Sequence, residues 1–313
     1  MTEVLPNFFI VGAPKAGTTS LYHLLDQHPQ IYMSPVKEPC YFASEIRPEN
    51  FSAEHEPRIR REAQELRQYL SGPMLEKRFS GVVSKWDDYL KLFQNATNEK
   101  AIGEASVCYL WSQTAAQNII SRVPNAKIII VLRDPAERAF SQYLHTVTAG
   151  LTSQSFREQV EESVRSPGGK FDVLHPFLEL GLYHQQVKRY LELFPKENLR
   201  IYFYQEQAQI VPDILQFLCL DSSIAPDLSE RHLEPRIPRA IAPSHLLKRS
   251  GIWQGAKKMT PRALLPLFRS AIFKPRDAVD MDPEDRQYLI GSYREDILRL
   301  SSLLDRDLTA WLS

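Results

Sequence analysis

The stretch from Gly12 to Leu25, GAPKAGTTSLYHLL, constrains this chain more than any other. It follows the apolar run Phe8 to Val11, bounded by Pro6 and Gly12, which reads as a short, fully buried strand. A helical pattern opens at Thr18, with Leu21, Leu24 and Leu25 at i, i+3 and i+4, and stops before His28-Pro29. A strand, a glycine loop and a helix N-terminus in that order make an anion site. The first-turn amides have no partners inside the helix, and the dipole places partial positive charge there. Gly12 and Gly17 let the backbone wrap close to ligand oxygens, Thr18, Thr19 and Ser20 add hydroxyl donors, and Lys15 adds a mobile point charge. A nucleotide triphosphatase loop, G-x-x-x-x-G-K-[ST], needs its lysine directly after the second glycine. Thr18 stands there instead, and the only lysine is Lys15, inside the loop.

The 313 residues suffice for one large α/β domain or two small ones. With 38 basic and 38 acidic residues the formal net charge is zero, which argues against a dominant attraction to nucleic acid and leaves room for a local basic patch. Cys40, Cys108 and Cys219 are odd in number and far apart in sequence, so neither a disulfide framework nor a zinc spacing is expected, and a reducing, cytoplasmic setting fits best. The N-terminal apolar run is too short for a signal peptide or a membrane span, and no later stretch approaches bilayer length.

Along the chain, Gln30 to Met33 suggests a second strand, and residues 45–72 read as a charged surface insertion, part helical, with few core residues. Trp86 to Phe93 suggests a short helix capped by Ser84, and Gln113 to Arg122 another. Ile128 to Leu132 (IIIVL) is the clearest buried strand, apolar throughout as a central parallel strand should be. Pro135 opens the next helix, through Phe140 and Tyr143. Gly181 to Phe194 is amphipathic, Leu199 to Tyr204 is strand-like, and Pro283 to Trp311 reads as one long packing helix. Strands alternating with helices predict an α/β fold with a mostly parallel sheet flanked by helices. Nothing resembling a flexible linker divides the chain, so a single domain over 1–313 is expected.

From Phe8 to Phe42 the chain resembles the sulfotransferases that use 3′-phosphoadenosine 5′-phosphosulfate (PAPS) as sulfuryl donor, and the likeness extends to about Tyr204. Their 5′-phosphosulfate loop reads much like G-x-P-K-x-G-T-T-x-L, and GAPKAGTTSL matches it. The resemblance implies a P-loop-type α/β domain in which Gly12, Lys15, Ala16, Gly17, Thr18, Thr19 and Ser20 hold the donor's 5′ end. Lys15 would also reach the leaving group, and no metal would be needed.

A donor with a 3′-phosphate needs a second anion pocket. The stretch VLRDPAERAFSQY, Val131 to Tyr143, resembles the family's second motif, in which Arg133 and Ser141 would take that phosphate, with Tyr204 also at the donor site. Taken alone, Arg133-Asp134 also reads as a structural ion pair or a Walker-B-like acid, and Arg138 as either a packing or a solvent-facing residue. SPVKEPCYF, Ser34 to Phe42, resembles the stretch that carries the family's general base, which by position is Glu38, with Lys37 close by to orient it or to help hold the sulfuryl group. Pro39, Tyr41 and Phe42 are expected to surround Glu38 with apolar side chains. Its other reading is a surface pair with Lys37. AIGEASVCYL, Ala101 to Leu110, resembles a further cleft-lining stretch, except that Ala105 replaces a lysine of the heparan sulfate branch and Val107 a proline. His145, one turn past Ser141, reads either as an acceptor contact or as a buried packing histidine, and His23 as helix surface.

Residues 231–276 carry eleven Lys or Arg against Glu234 alone. The family often closes a basic loop over the 3′-phosphate, and Arg236 and Arg239 are the nearest equivalents. The remaining charge suits an acidic acceptor, a carrier protein or a peripheral membrane contact. The acceptor class stays open among small molecules, carbohydrates and carrier-bound groups, with a hydroxyl or an amine attacked. Two other functions stay open on the residues alone: a P-loop kinase-like phosphotransferase, and a regulator that binds adenosine bisphosphate without chemistry.

Overall fold

The computed structural model describes residues 3–47, 50, 56–79, 81–165, 176–224, 226–227, 236–238, 273–275 and 279–313. Strand β1 (Phe8–Gly12) leads through the glycine loop into helix α1 (Thr18–Asp26), then β2 (Ile31–Met33) and the two-residue β3 (Val36–Lys37). Helix α2 (Glu56–Leu70), β4 (Arg78–Phe79) and α3 (Trp86–Lys91) precede β5 (Ala101–Ala105). Next come α4 (Cys108–Trp111), α5 (Ala115–Arg122), β6 (Lys127–Leu132), α6 (Pro135–Ala149) and α7 (Phe156–Arg165). Helix α8 (Tyr183–Leu193), β7 (Leu199–Phe203), α9 (Gln207–Phe217), β8 (Arg236–Pro238), β9 (Phe273–Pro275) and α10 (Pro283–Leu304) complete the order.

The main sheet runs β2-β5-β1-β6-β7, and every pairing in it is parallel. Phe8 to Val11 and Ile128 to Leu132 are buried on both sides, which is why both runs are apolar without alternation. Because the strands are parallel, the loops after β1, β2, β5, β6 and β7 all leave from one end. Each sequence motif singled out above starts there. Ligands of open α/β sheets bind at that carboxyl end.

Three expectations need correction. Residues 45–72 are more than a surface insertion: Leu66 and Leu70, one turn apart on the charged helix α2, are buried. Glu45, at the start of that segment, accepts from Ser112 Oγ, the amides of Gln113 and Thr114, and Thr114 Oγ1, so it fastens the approach to α5. Ser84 does not cap α3; Lys85 stands at the N-cap and makes no side-chain bond there. The last helix stops at Leu304, where Asp305 turns left-handed (φ 49°), and a separate short turn, Thr309–Leu312, carries the buried Trp311.

Arg138 is fully buried and resolves to a packing role. It donates to the carbonyl of Phe177 and to Gln142 Oε1, both at 2.6 Å. Among the described residues no helix is long and apolar enough to cross a membrane.

Candidate active site

The glycine loop is built as its residues demand. Gly17 is the N-cap of α1 in the left-handed conformation (φ 81°), with no side-chain cap, so the amides of Thr18, Thr19 and Ser20 face forward without helical partners. Thr18 is buried, Thr19 half-buried and Ser20 exposed. The loop is tied to the sheet by the amide of Ala13, which donates to the carbonyl of Val131 at 2.6 Å. Lys15 itself adopts φ 64°, an unusual conformation for a side chain other than glycine. The ring of Tyr204, just past β7, closes over the loop: a methyl group added at Gly17 would lie 2.9 Å from Tyr204 Cε2. Gly17→Ala should therefore cost about 1–3 kcal/mol, from the positive φ and the collision together. Thermal unfolding of Gly17→Ala beside Gly17→Ala/Tyr204→Ala checks this. The double variant should recover only the steric part.

The second motif meets the first. Arg133 Nη1 donates to the carbonyl of Lys15 (3.3 Å), its guanidinium lies 4.8 Å from the Tyr204 ring centroid, and Nη2 pairs with Glu137 (3.2 Å). Asp134 is not poised as a Walker-B acid. Its Oδ1 caps α6 by accepting from the amides of Ala136 and Glu137, and its Oδ2 pairs with Arg286 of α10 at 2.7 Å. Ser141 is buried two turns into α6, and among the described residues its hydroxyl has no protein partner. His145 is exposed rather than a buried packing residue. Partial desolvation and the nearby charge of Lys15 both lower its pKa, which places the imidazole beside the loop and neutral at pH 7.

The third motif forms a turn over the same end of the sheet. Short strands β3 and β4 pair in parallel and hold Lys37, which is buried and donates to Glu38 Oε1. Glu38 Oε2 accepts from the amide of Val107 at 2.8 Å, and the Glu38 amide donates to the carbonyl of Ala105. Glu38 and Cys40 both take positive φ, 66° and 54°, so the turn is held by its contacts against its own backbone preference. The expected apolar surroundings are not the partners of Glu38. Tyr41 and Phe42 pack into a ring cluster with Trp86, Tyr89 and Tyr109, while the carboxylate meets a cation and an N–H. The pair with Lys37 exists, but Lys37 lies inside rather than on the surface. His23 is half-buried, its ring set against Tyr22 and Phe79.

Segment 106–110 joins the Glu38 turn and the glycine loop. Val107 holds Glu38, and the side chain of Leu110 fills the space a methyl group at Gly12 would need. Below it, Glu104 is fully buried, with Ser106 Oγ donating to Oε2 at 3.3 Å and no hydrogen-bond partner on Oε1 among the described residues. Burial, with the charge of Glu38 adding to it, pushes its pKa up to about 8, so the carboxyl is protonated at neutral pH. The unfolded chain releases this proton near its ordinary value of 4.5, whereas the folded chain keeps it to about 8. Folding stability therefore falls as pH rises through that window, by a few kcal/mol. Thermal unfolding between pH 4 and 9 should show this decline, and Glu104→Gln should flatten it.

Arg236 lies in β8, which pairs antiparallel with β9 and rests against α6, the helix of Ser141. Arg239 and most of the 231–276 segment lie outside the described residues. Sequence reasoning missed the Val107 amide, Glu104, and the contact between Cys40 and Cys108. All four residues lay inside stretches already tied to the cleft, Glu104, Val107 and Cys108 in AIGEASVCYL and Cys40 in SPVKEPCYF.

A five-stranded parallel sheet with this loop, strand-end arginine and acid turn defines a class. The chain belongs to the sulfotransferase family, whose model matches residues 6–205. It is 30% identical, with a TM-score of 0.69, to a solved sulfotransferase from Alicyclobacillus acidocaldarius, over 99% of this chain and 100% of that one. Among curated proteins it is 26% identical over 279 residues to carbohydrate sulfotransferase 15 of Homo sapiens, covering 69% of this chain and 44% of that protein. It is 27% identical over 310 residues to the bifunctional heparan sulfate N-deacetylase/N-sulfotransferase 2 of Bos taurus, covering 96% of this chain and 30% of that protein. The chain thus spans less than half the length of either curated relative. Its fold is the P-loop NTPase-like one that sulfotransferases share.

Proposed function

We propose that this chain transfers the sulfuryl group of PAPS to an acceptor hydroxyl or amine by in-line displacement, with Glu38 as general base. One observation carries the reading. The glycine loop with its unpartnered first-turn amides, and Arg133 with the buried Ser141 hydroxyl, share one end of the sheet, with Tyr204 lying against both Gly17 and Arg133. These groups fit a nucleotide with phosphate at both its 5′ and 3′ positions. The loop amides and Lys15 bind the 5′ end, and Lys15 neutralises charge developing on the departing phosphate oxygen. Arg133 and Ser141 hold the 3′-phosphate. Tyr204 offers its ring beside both.

Glu38 takes the proton of the attacking group. Lys37 and the Val107 amide fix the orientation of its carboxylate, so the base is placed before the acceptor arrives. The names of the two curated relatives favour a carbohydrate acceptor. Ala105, where the heparan sulfate branch has a lysine, favours an acceptor less anionic than heparan sulfate.

Differential scanning fluorimetry tests the donor assignment. 3′,5′-Adenosine bisphosphate should raise Tm by several degrees without added metal. A rise with ATP and magnesium but none with the bisphosphate would overturn the proposal in favour of a phosphotransferase. Binding of the bisphosphate with no transfer to any carbohydrate, alcohol or amine acceptor would favour a non-catalytic regulator.

A further inference from the structure

We propose that Cys40 and Cys108 are a redox-sensitive thiol pair that a peroxide-class oxidant closes to a disulfide, and that closure disables the turn carrying Glu38. The switching half rests on the reading of Glu38 as base. The two Sγ atoms lie 3.2 Å apart, with the Cys108 thiol donating to Cys40 and the Cys40 thiol donating to the carbonyl of Glu38. A disulfide needs about 2.05 Å, so the sulfurs must close by about 1 Å. Two of the contacts holding the turn sit beside these residues. The Cys40 amide donates to Ser106 Oγ at 3.1 Å, and the amide of Val107, the residue before Cys108, donates to Glu38. The third cysteine, Cys219, is exposed and contacts Lys127 at the opposite end of the sheet, which makes it an internal control.

The chemistry balances with peroxide as the co-reactant. One thiol sulfur attacks the peroxide: an S–O bond forms, the O–O bond breaks and one water leaves, giving a sulfenic acid. The sulfur of the second thiol then attacks the first. The S–S bond forms, the S–O bond breaks, and the second thiol's proton leaves with the hydroxide as water. Two thiols and one peroxide become one disulfide and two waters, with two electrons passing to the peroxide. Burial pushes the Cys108 thiol well up, and its contact with Cys40 adds to this, so oxidation is slow and answers to sustained exposure. A base displaced by about 1 Å can lose about 100-fold in rate.

The test exposes the full chain to hydrogen peroxide and maps it by non-reducing digestion and mass spectrometry. The expected result is a linked Cys40–Cys108 peptide lacking two hydrogens, a transfer rate lowered roughly tenfold or more, and recovery with dithiothreitol. Cys108→Ser, or Cys40→Ser should the first fold poorly, should transfer normally and ignore peroxide. Absence of that linked peptide, or its presence with an unchanged rate, overturns the proposal. Calorimetric titration with 3′,5′-adenosine bisphosphate separates this from failure of the donor reading, since both redox states should bind it alike. No binding in either state overturns the donor reading and the switching half with it, while the linked peptide alone decides the pair.

Discussion

Lys15→Ala is expected to lower the rate of sulfuryl transfer by about 10²–10³-fold, the usual effect of deleting a group aimed at charge that develops in the transition state. The fold should survive, because Lys15 lies on a half-buried loop and alanine tolerates its φ of 64° about as well as lysine does. Affinity for 3′,5′-adenosine bisphosphate should fall much less than rate, since the loop amides and the Arg133 motif remain. Lys15→Arg keeps the charge but spreads it over a planar fork, and should recover binding better than turnover. A second readout is independent of catalysis. Lys15 helps depress the pKa of His145, so its removal should raise the His145 titration midpoint, measured by NMR. An unchanged midpoint would place the ammonium away from the cleft, and equal losses in rate and binding would demote Lys15 to a simple anchor.

Glu38→Gln is expected to cost about 10²–10⁴-fold in transfer rate, the range attributed to a positioned general base. Glutamine can still accept from the Val107 amide, so the turn should keep its shape, but the buried Lys37 loses its counter-charge. An unpaired buried cation costs about 3 kcal/mol or more, so stability should fall together with activity. Lys37→Met/Glu38→Gln separates the two effects by removing the orphaned charge. It should regain most of the lost Tm and none of the lost rate. Recovery of rate in the double variant would mean that the acid serves structure only.

What was legible in the sequence was local. The glycine loop, the apolar IIIVL strand and the proline opening the helix of Ser141 each declare themselves within a dozen residues, and the structure places them as read. The positions of Lys15, Arg133 and Glu38 at one end of the sheet follow from parallel connectivity, which the alternation of elements already implied. What escaped was long-range. Cys40 and Cys108 stand 68 residues apart and looked unrelated, yet β5 returns beside β1 and sets Cys108 over the turn of Glu38. Tyr204 over Gly17 and Glu45 beneath Ser112 are contacts across the fold of the same kind. Residues 45–72 were misjudged because a stripe of two leucines is faint against so many charges, although it is enough to dock a helix. Glu104 sat in plain view inside a recognised stretch, but only its burial reveals a protonated acid.

The two oxygens of Asp134 have a wider consequence. One caps the first turn of α6, and the other grips Arg286, which also bonds the carbonyl of Ser313 and lies 3.9 Å from Glu137, the residue that pairs with Arg133. Helix α10 thus acts as a splint across the carboxyl end of the sheet, carrying rigidity from its own residues to a guanidinium about 150 positions earlier. A substitution at Arg286 should therefore be felt at the proposed donor site at one remove, though the two lie far apart along the chain.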